Sequence, residues 1–143
     1  MRYPLKKKLV LSATLENLDT FKEHVHSTAL LCGLSDKQLT HIELALEEVL
    51  VNVINYAYPE TRQGDIEVSC SPGNHQQGIS IQIVDDGVAF DPLAKVDPDT
   101  SLTLNARAIG GLGIFLTKKM MDEVVYERRD NKNIITMTKN ATD

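Results

Sequence analysis

A chain of 143 residues with 42% hydrophobic and 24% charged side chains has the size and make-up of one ordinary globular domain, able to bury roughly 70% of the surface its unfolded form exposes. Acidic residues outnumber basic ones by 20 to 15, for a net charge of −5, so no overall basic field draws in a phosphate backbone, and nucleic acid is not an expected partner. No apolar run approaches the roughly 18 residues of a membrane helix, and no secretory leader is visible, so no membrane association is expected and the cytoplasm is the expected address.

Lys6-Lys7-Lys8 leads into Leu9, Val10 and Leu11, and the stretch from Leu5 to Ala13 predicts a first strand with its lysines on a solvated edge. Leu15 to Leu31 carries Leu18, Phe21, Val25, Ala29 and Leu30 at helical spacing, and Gly33 stops it. Ser35 with Gln38 has the spacing of a capping box and predicts a second helix to about Tyr58, ended by Pro59. The two cysteines, Cys32 and Cys70, have neither metal-ligand spacing nor a disulfide framework and read as reduced thiols.

Gly64 to Ser71 and Gly78 to Asp85 alternate as strands do, around a turn at Pro72-Gly73-Asn74. From Asp86 to Ile109 no period persists, and Pro92, Pro98 and several Asp and Thr residues predict a long surface loop, the kind that often serves as a lid. Helical spacing resumes from Gly111 to Met121. Val124 to Arg129 and Asn133 to Lys139 then predict a hairpin about Asp130-Asn131. Tight turns between successive strands imply antiparallel pairing. Helices on one face complete an α+β fold, a two-layer α/β sandwich in a single domain over residues 1–143.

Three places carry chemistry. On the second helix Leu39, Ile42, Leu46, Val49, Leu50 and Val53 form an apolar stripe, while Glu48, Asn52 and Asn55 recur at the same spacing on another face. Asn costs roughly 0.5 kcal/mol against Ala inside a helix, so two in one turn need a reason: an amide oxygen is a neutral ligand for Mg²⁺, and a Glu one turn earlier can take a proton from an attacking hydroxyl. Ile81, Ile83 and Val84 run into Asp85-Asp86-Gly87, where Asp85 can accept a hydrogen bond from an adenine amino group while Gly87 lets backbone approach the ring. Gly110-Gly111-Leu112-Gly113 places free backbone N–H groups at a helix start, where an anion is stabilised, although the Lys-Ser/Thr ending of a Walker A loop is missing.

Glu48-x3-Asn52, Asp85-x-Gly87 and Gly111-x-Gly113, in this order, resemble the N, G1 and G2 boxes of the GHKL ATPase superfamily of gyrase, the heat-shock chaperone, histidine kinases and mismatch-repair ATPases. The similarity covers nearly the whole chain. The compact length and the strings LEEVLVNVINYAYP, FDPLAKVDPDT and IGGLGIFLTKKMMDEVVYERRDNKN look most like the bacterial anti-sigma-factor serine/threonine kinases and their stand-alone relatives.

The resemblance implies a Bergerat-type fold with a nucleotide lid loop and the cofactors ATP and Mg²⁺. Glu48 is then the general base and Asn52 the Mg²⁺ ligand, with Asn55 nearby. Asp85 holds adenine, Gly87 and Ala89 lie beside it, Gly110, Gly111, Leu112 and Gly113 line the triphosphate, and Arg107, rather than Lys95, neutralises the γ-phosphate. In that family an ATP-bound dimer sequesters a sigma factor and phosphorylates a small antagonist protein. Ala89 stands where a second glycine is frequent, and Tyr56 where the kinases often have His. A histidine kinase is not expected, since no dimerisation helix or sensor precedes the module, nor is a gyrase-like or chaperone-like role, since no further domain follows it. The alternative function is a nucleotide-gated protein-binding module without phosphoryl transfer; a third reading is an interaction domain that has lost ATP binding.

Overall fold

The computed structural model describes residues 7–73, 77–91, 93 and 111–141. Five strands, β1 (Lys7–Ser12), β2 (Asp65–Pro72), β3 (Ile79–Asp85), β4 (Glu123–Arg129) and β5 (Lys132–Lys139), form one sheet in the order β1-β2-β3-β5-β4. Every neighbouring pair is antiparallel, and the α+β reading holds. The strands alternate as their sequences require. Ile66, Val68, Cys70, Ile79, Ile81, Ile83, Ile135 and Met137 are buried on the inner face, each side chain contributing on the order of 1.5–3 kcal/mol through burial. Between them, Ser69, Ser71, Ser80, Gln82, Thr136 and Thr138 point to the other face, in register with one another across β2, β3 and β5, and Glu67 shares that face opposite Val84.

The expected hairpin joins β4 and β5, with Asp130 and Asn131 at φ 54° and 61°. Both lie in the left-handed region that a two-residue turn between twisted strands requires and that Asp and Asn tolerate. It is β5, and not β4, that lies against β3, so the C-terminal strand of the hairpin completes the middle of the sheet. β1 forms one edge, where exposed Lys8 pairs with Glu67 at 3.1 Å.

The helix expected from Leu15 to Leu31 is α-helical only in its middle: α1 (Leu18–Ala29) is flanked by 3₁₀ turns at Leu15–Asn17 and Leu30–Cys32. Gly33, at φ 76°, ends it in a conformation that glycine adopts without strain. Helix α2 (Asp36–Tyr56) opens with both halves of the capping box, Gln38 N–H donating to Ser35 Oγ at 3.2 Å and Ser35 N–H donating to Gln38 Oε1 at 2.9 Å. It ends two residues before Tyr58, since a residue preceding proline is pushed out of the helical region. All six residues of its predicted apolar stripe are buried.

Helix α1 lies along one flank of α2, where the Lys22 ammonium sits 3.1 Å from Glu47 and 3.4 Å from Glu43. Burial opposes that charge, but the hydrogen bonds and attraction of Glu47 and Glu43 outweigh it and hold the Lys22 pKa above its ordinary value. Helix α3 (Gly111–Met120) packs against α2 as well, and Lys139 of β5 donates to the Met120 carbonyl at its C-terminal end, 2.5 Å away. Among the described residues no helix is long and apolar enough to cross a membrane.

Ser35→Ala removes one acceptor from the start of α2 and leaves Gln38 its separate bond to the Asn140 carbonyl. A loss of about 1 kcal/mol is expected, read as a lower urea midpoint at unchanged slope; an unchanged midpoint would show that the box adds nothing to this helix.

Candidate functional site

The Asp85-Asp86-Gly87 segment leaves β3 between the end of α2 and the β4–β5 hairpin, and its two carboxylates part company. Asp85 points inward and is 3% exposed. Its Oδ1 accepts from Gly87 N–H and from Asn133 Nδ2, each at 2.9 Å. Burial pushes the Asp85 carboxyl up from its usual range, against the lowering effect of those two hydrogen bonds and of nearby Arg128.

Asp86 turns outward to the α2–β2 connection. The Tyr58 hydroxyl lies 2.9 Å from Asp86 Oδ1, while Arg62 donates to the Asp86 carbonyl at 3.0 Å and to its Oδ2 at 2.9 Å. The bond from Tyr58, with the Arg62 charge behind it, holds this carboxyl below its ordinary value. Arg62 also sits 5.2 Å over the Tyr58 ring.

Gly87 is required for a reason beside the one the sequence offers. A Cβ there would lie 2.1 Å from the carbonyl oxygen of Ala57, just beyond α2, and Val88 N–H donates to that same oxygen at 2.7 Å. The loop is laced to α2 through backbone. Ala89 is exposed, and the Phe90 ring packs at 5.4 Å on Tyr56.

Asn133, at the start of β5, is 1% exposed and faces Asp85 in the β3–β5 register. Its Nδ2 donates to Asp85 Oδ1 and, at 2.8 Å, to the Val88 carbonyl. Its Oδ1 accepts from Tyr126 Oη at 2.6 Å, Arg128 Nη1 at 3.1 Å and Phe90 N–H at 3.2 Å. Arg128 Nη1 also donates to the Gly87 carbonyl at 2.9 Å. None of Asn133, Tyr126, Arg128, Tyr58 and Arg62 was singled out from the sequence. A signal existed for Asn133: it takes an inward position in a strand whose other inward residues are Ile135 and Met137, and a polar residue there is depleted unless paired.

On α2, Glu48, Asn52 and Asn55 do not share one open face as the spacing suggested. Glu48 is half-buried and Asn55 exposed, but Asn52 is 4% exposed. Residues advance about 100° each around a helix, which puts Asn52 at the border of the apolar stripe. Helix α1 lies on the Glu43–Glu47 flank, and α3 packs against α2 as well. The buried amide is accommodated because Asn52 Nδ2 donates to the Glu48 carbonyl at 2.7 Å, which fixes its orientation and leaves Oδ1 as the remaining polar atom.

Gly111, Leu112 and Gly113 form the first turn of α3 as expected, where backbone N–H groups have no partner within the helix. Arg107 and Gly110 lie outside the described residues. A cavity of about 540 Å³ opens on the helix-free side of the sheet, with Val10, Glu67, Val84, Asp85, Asp86 and Lys132 among its lining residues; neither Glu48 nor Asn52 borders it. Among the described residues no group of His, Cys, Asp and Glu could hold a metal ion by itself.

The fold is that of a histidine kinase-like ATPase domain, and the chain belongs to that family, which matches residues 11–139. It is 30% identical to the serine-protein kinase RsbW of Bacillus subtilis over 111 residues, covering 75% of this chain and 68% of that one. With the serine/threonine-protein kinase BtrW of Bordetella bronchiseptica it shares 27% identity over 100 residues, 70% of this chain and 69% of the other. The crystal structure of the RsbU and RsbW domains of Rv1364c from Mycobacterium tuberculosis is similar at a TM-score of 0.67 and 14% identity, over 96% of this chain and 32% of that one. The histidine kinase domain from the Erythrobacter litoralis EL346 blue-light activated histidine kinase gives 0.57 at 14% identity, over 89% and 60%. At such identities the structural likeness speaks for the fold alone.

Gly87→Ala forces a methyl group into the Ala57 carbonyl. Since both sides of that contact are backbone, the loop must shift, and a loss of about 2–4 kcal/mol in unfolding free energy is expected. A denaturation midpoint within error of the parent would show that the loop moves freely off α2.

Proposed function

We propose that this chain is a cytoplasmic Mg-ATP-dependent protein serine/threonine kinase of the partner-switching, anti-sigma-factor type, working as a homodimer of single domains spanning residues 1–143. The observation that carries the reading is a buried Asp85 carboxylate pinned at the end of a central strand, on a loop laced through Ala57 to the helix that bears Glu48 and Asn52. Its kinship with RsbW and BtrW supports the same class. A sigma factor and a small antagonist protein are the partners that class suggests.

In this reading Asp85 accepts a hydrogen bond from the adenine amino group. The first turn of α3, with Gly110 before it, receives the phosphates at its N-terminal end, and Arg107 neutralises the γ-phosphate. Ala89 and Asn55 line the rim. Asn52 fits as a Mg²⁺ ligand because its NH₂ is already committed to the Glu48 carbonyl. With no cluster of three protein ligands among the described residues, one amide oxygen plus phosphate oxygens and water is the coordination a Mg²⁺ ion accepts. Bound there, the ion neutralises phosphate charge. Glu48 takes the proton of the attacking serine or threonine hydroxyl. Its neighbour Glu47 is tied to Lys22 and faces α1, about 100° away around the helix.

The expected result with labelled ATP and candidate antagonist proteins is phosphoryl transfer that falls roughly 10²- to 10⁴-fold in Glu48→Gln at nearly unchanged ATP affinity, because a base acts in the transition state. Glu47→Gln should barely change transfer. Unchanged transfer in Glu48→Gln removes Glu48 from catalysis. Nucleotide binding with no transfer in the parent leaves a nucleotide-gated binding module, and equal ATP affinity with and without Mg²⁺ removes Asn52 as a metal ligand. The dimer is supported by β1, an edge strand paired among the described residues only with β2; a single-chain mass in sedimentation at micromolar concentration would overturn it.

A further inference from the structure

Resting on the nucleotide site proposed above, we propose that Asn133 is a positioning residue that sets base discrimination, by committing one oxygen of Asp85 to the protein and presenting the other to an amino group of the ligand. The argument begins with the amide itself. Asn has two N–H donors and one carbonyl oxygen, and all are used: the donors on Asp85 Oδ1 and the Val88 carbonyl, the oxygen on Tyr126 Oη, Arg128 Nη1 and Phe90 N–H. The groups around one end are acceptors and those around the other are donors. The amide therefore has only one orientation in which it can sit.

That orientation decides what Asp85 can do. Oδ1 receives two N–H bonds, from Gly87 and Asn133, and among the described residues no hydrogen-bond donor reaches Oδ2. A carboxylate so held cannot rotate to exchange its oxygens without breaking both bonds. Among the described residues Oδ2 is left as a fixed, unshared acceptor on a carboxylate that is almost wholly buried. It favours a ligand carrying an N–H donor at that point and rejects one carrying a carbonyl oxygen there, since two acceptors would then face each other unpaired. Among purine nucleotides this separates 6-amino rings from 6-oxo rings. Asn133 is saturated by the protein and touches no ligand itself; it acts through Asp85.

The test compares ATP with inosine triphosphate, which differs at that ring position by oxygen for NH₂, by calorimetric titration with Mg²⁺ present. The parent should prefer ATP by about 10- to 100-fold, the worth of a hydrogen bond to a charged group. Asn133→Ala frees Asp85 to rotate and should weaken ATP by about 10-fold while leaving inosine triphosphate nearly unchanged, so that the preference collapses. Tyr126→Phe, which removes only the 2.6 Å donor to Asn133 Oδ1, should shift the ratio the same way by a smaller factor. An equal loss for both nucleotides in Asn133→Ala overturns the proposal and leaves Asn133 a purely structural residue. Equal binding of both by the parent overturns it too, whereas binding of neither overturns the nucleotide site itself. If Asn133→Ala does not fold, Tyr126→Phe decides, and an unchanged ratio there overturns the proposal.

Discussion

One side-chain amide ties together parts of the chain that lie far apart in sequence. Asn133 reaches across the β3–β5 ladder to a carboxylate 48 residues earlier in sequence, and from the same position gathers Val88, Phe90, Tyr126 and Arg128. A buried carboxylate is costly unless it is hydrogen-bonded, and a buried amide is costly unless every one of its groups is used. Asp85 and Asn133 answer each other's requirement. Their mutual satisfaction is what allows an ionisable group to stand at the end of an otherwise apolar strand.

From that bridge the placement of the loop follows. Asn133 and Arg128 hold residues 85–90 from the hairpin side, and Tyr58 and Arg62 hold Asp86 from the other. Ala57 meets the loop's backbone directly. Gly64 belongs to this arrangement, since a Cβ there would lie 2.0 Å from the Tyr58 ring. The adjacent carboxylates thus have separate employment. Asp86 is spent on fastening the segment, and Asp85 is kept for the interior. Because the fastening runs to the C-terminal end of α2, the distance between the loop and the Glu48–Asn52 turn is set by a rigid helix.

Much of this was legible in the sequence, for physical reasons that differ by element. The α2 cap, its apolar stripe and the Asp130-Asn131 turn are local: each depends on residues within a few positions of one another, so spacing and backbone preference suffice. The Asp85 loop was legible as a carboxylate and a glycine at the end of a hydrophobic strand. What holds it was not. The partnership of Asp85 with Asn133 depends on β5, rather than β4, lying beside β3, and strand order is a tertiary fact that alternation within a strand does not contain. The same holds for Asn52, which counts as polar by spacing but is buried, on a helix that packs against one far along the chain. Glu47 and Glu48 are told apart by spacing in the sequence, and the structure adds the neighbour that α1 brings to Glu47, Lys22.

The position of β5 also bears on how the protein is made. Synthesis runs from the N-terminus, and elements fold as their partners emerge. The capping box, the Asp-Gly loop and the glycine turn all precede β5, yet β3 has no neighbour on that side, and Asp85 no amide to meet it, until β5 has left the ribosome. A nascent or prematurely terminated chain would therefore carry nearly every recognisable motif while Asp85 still lacked its Asn133 donor.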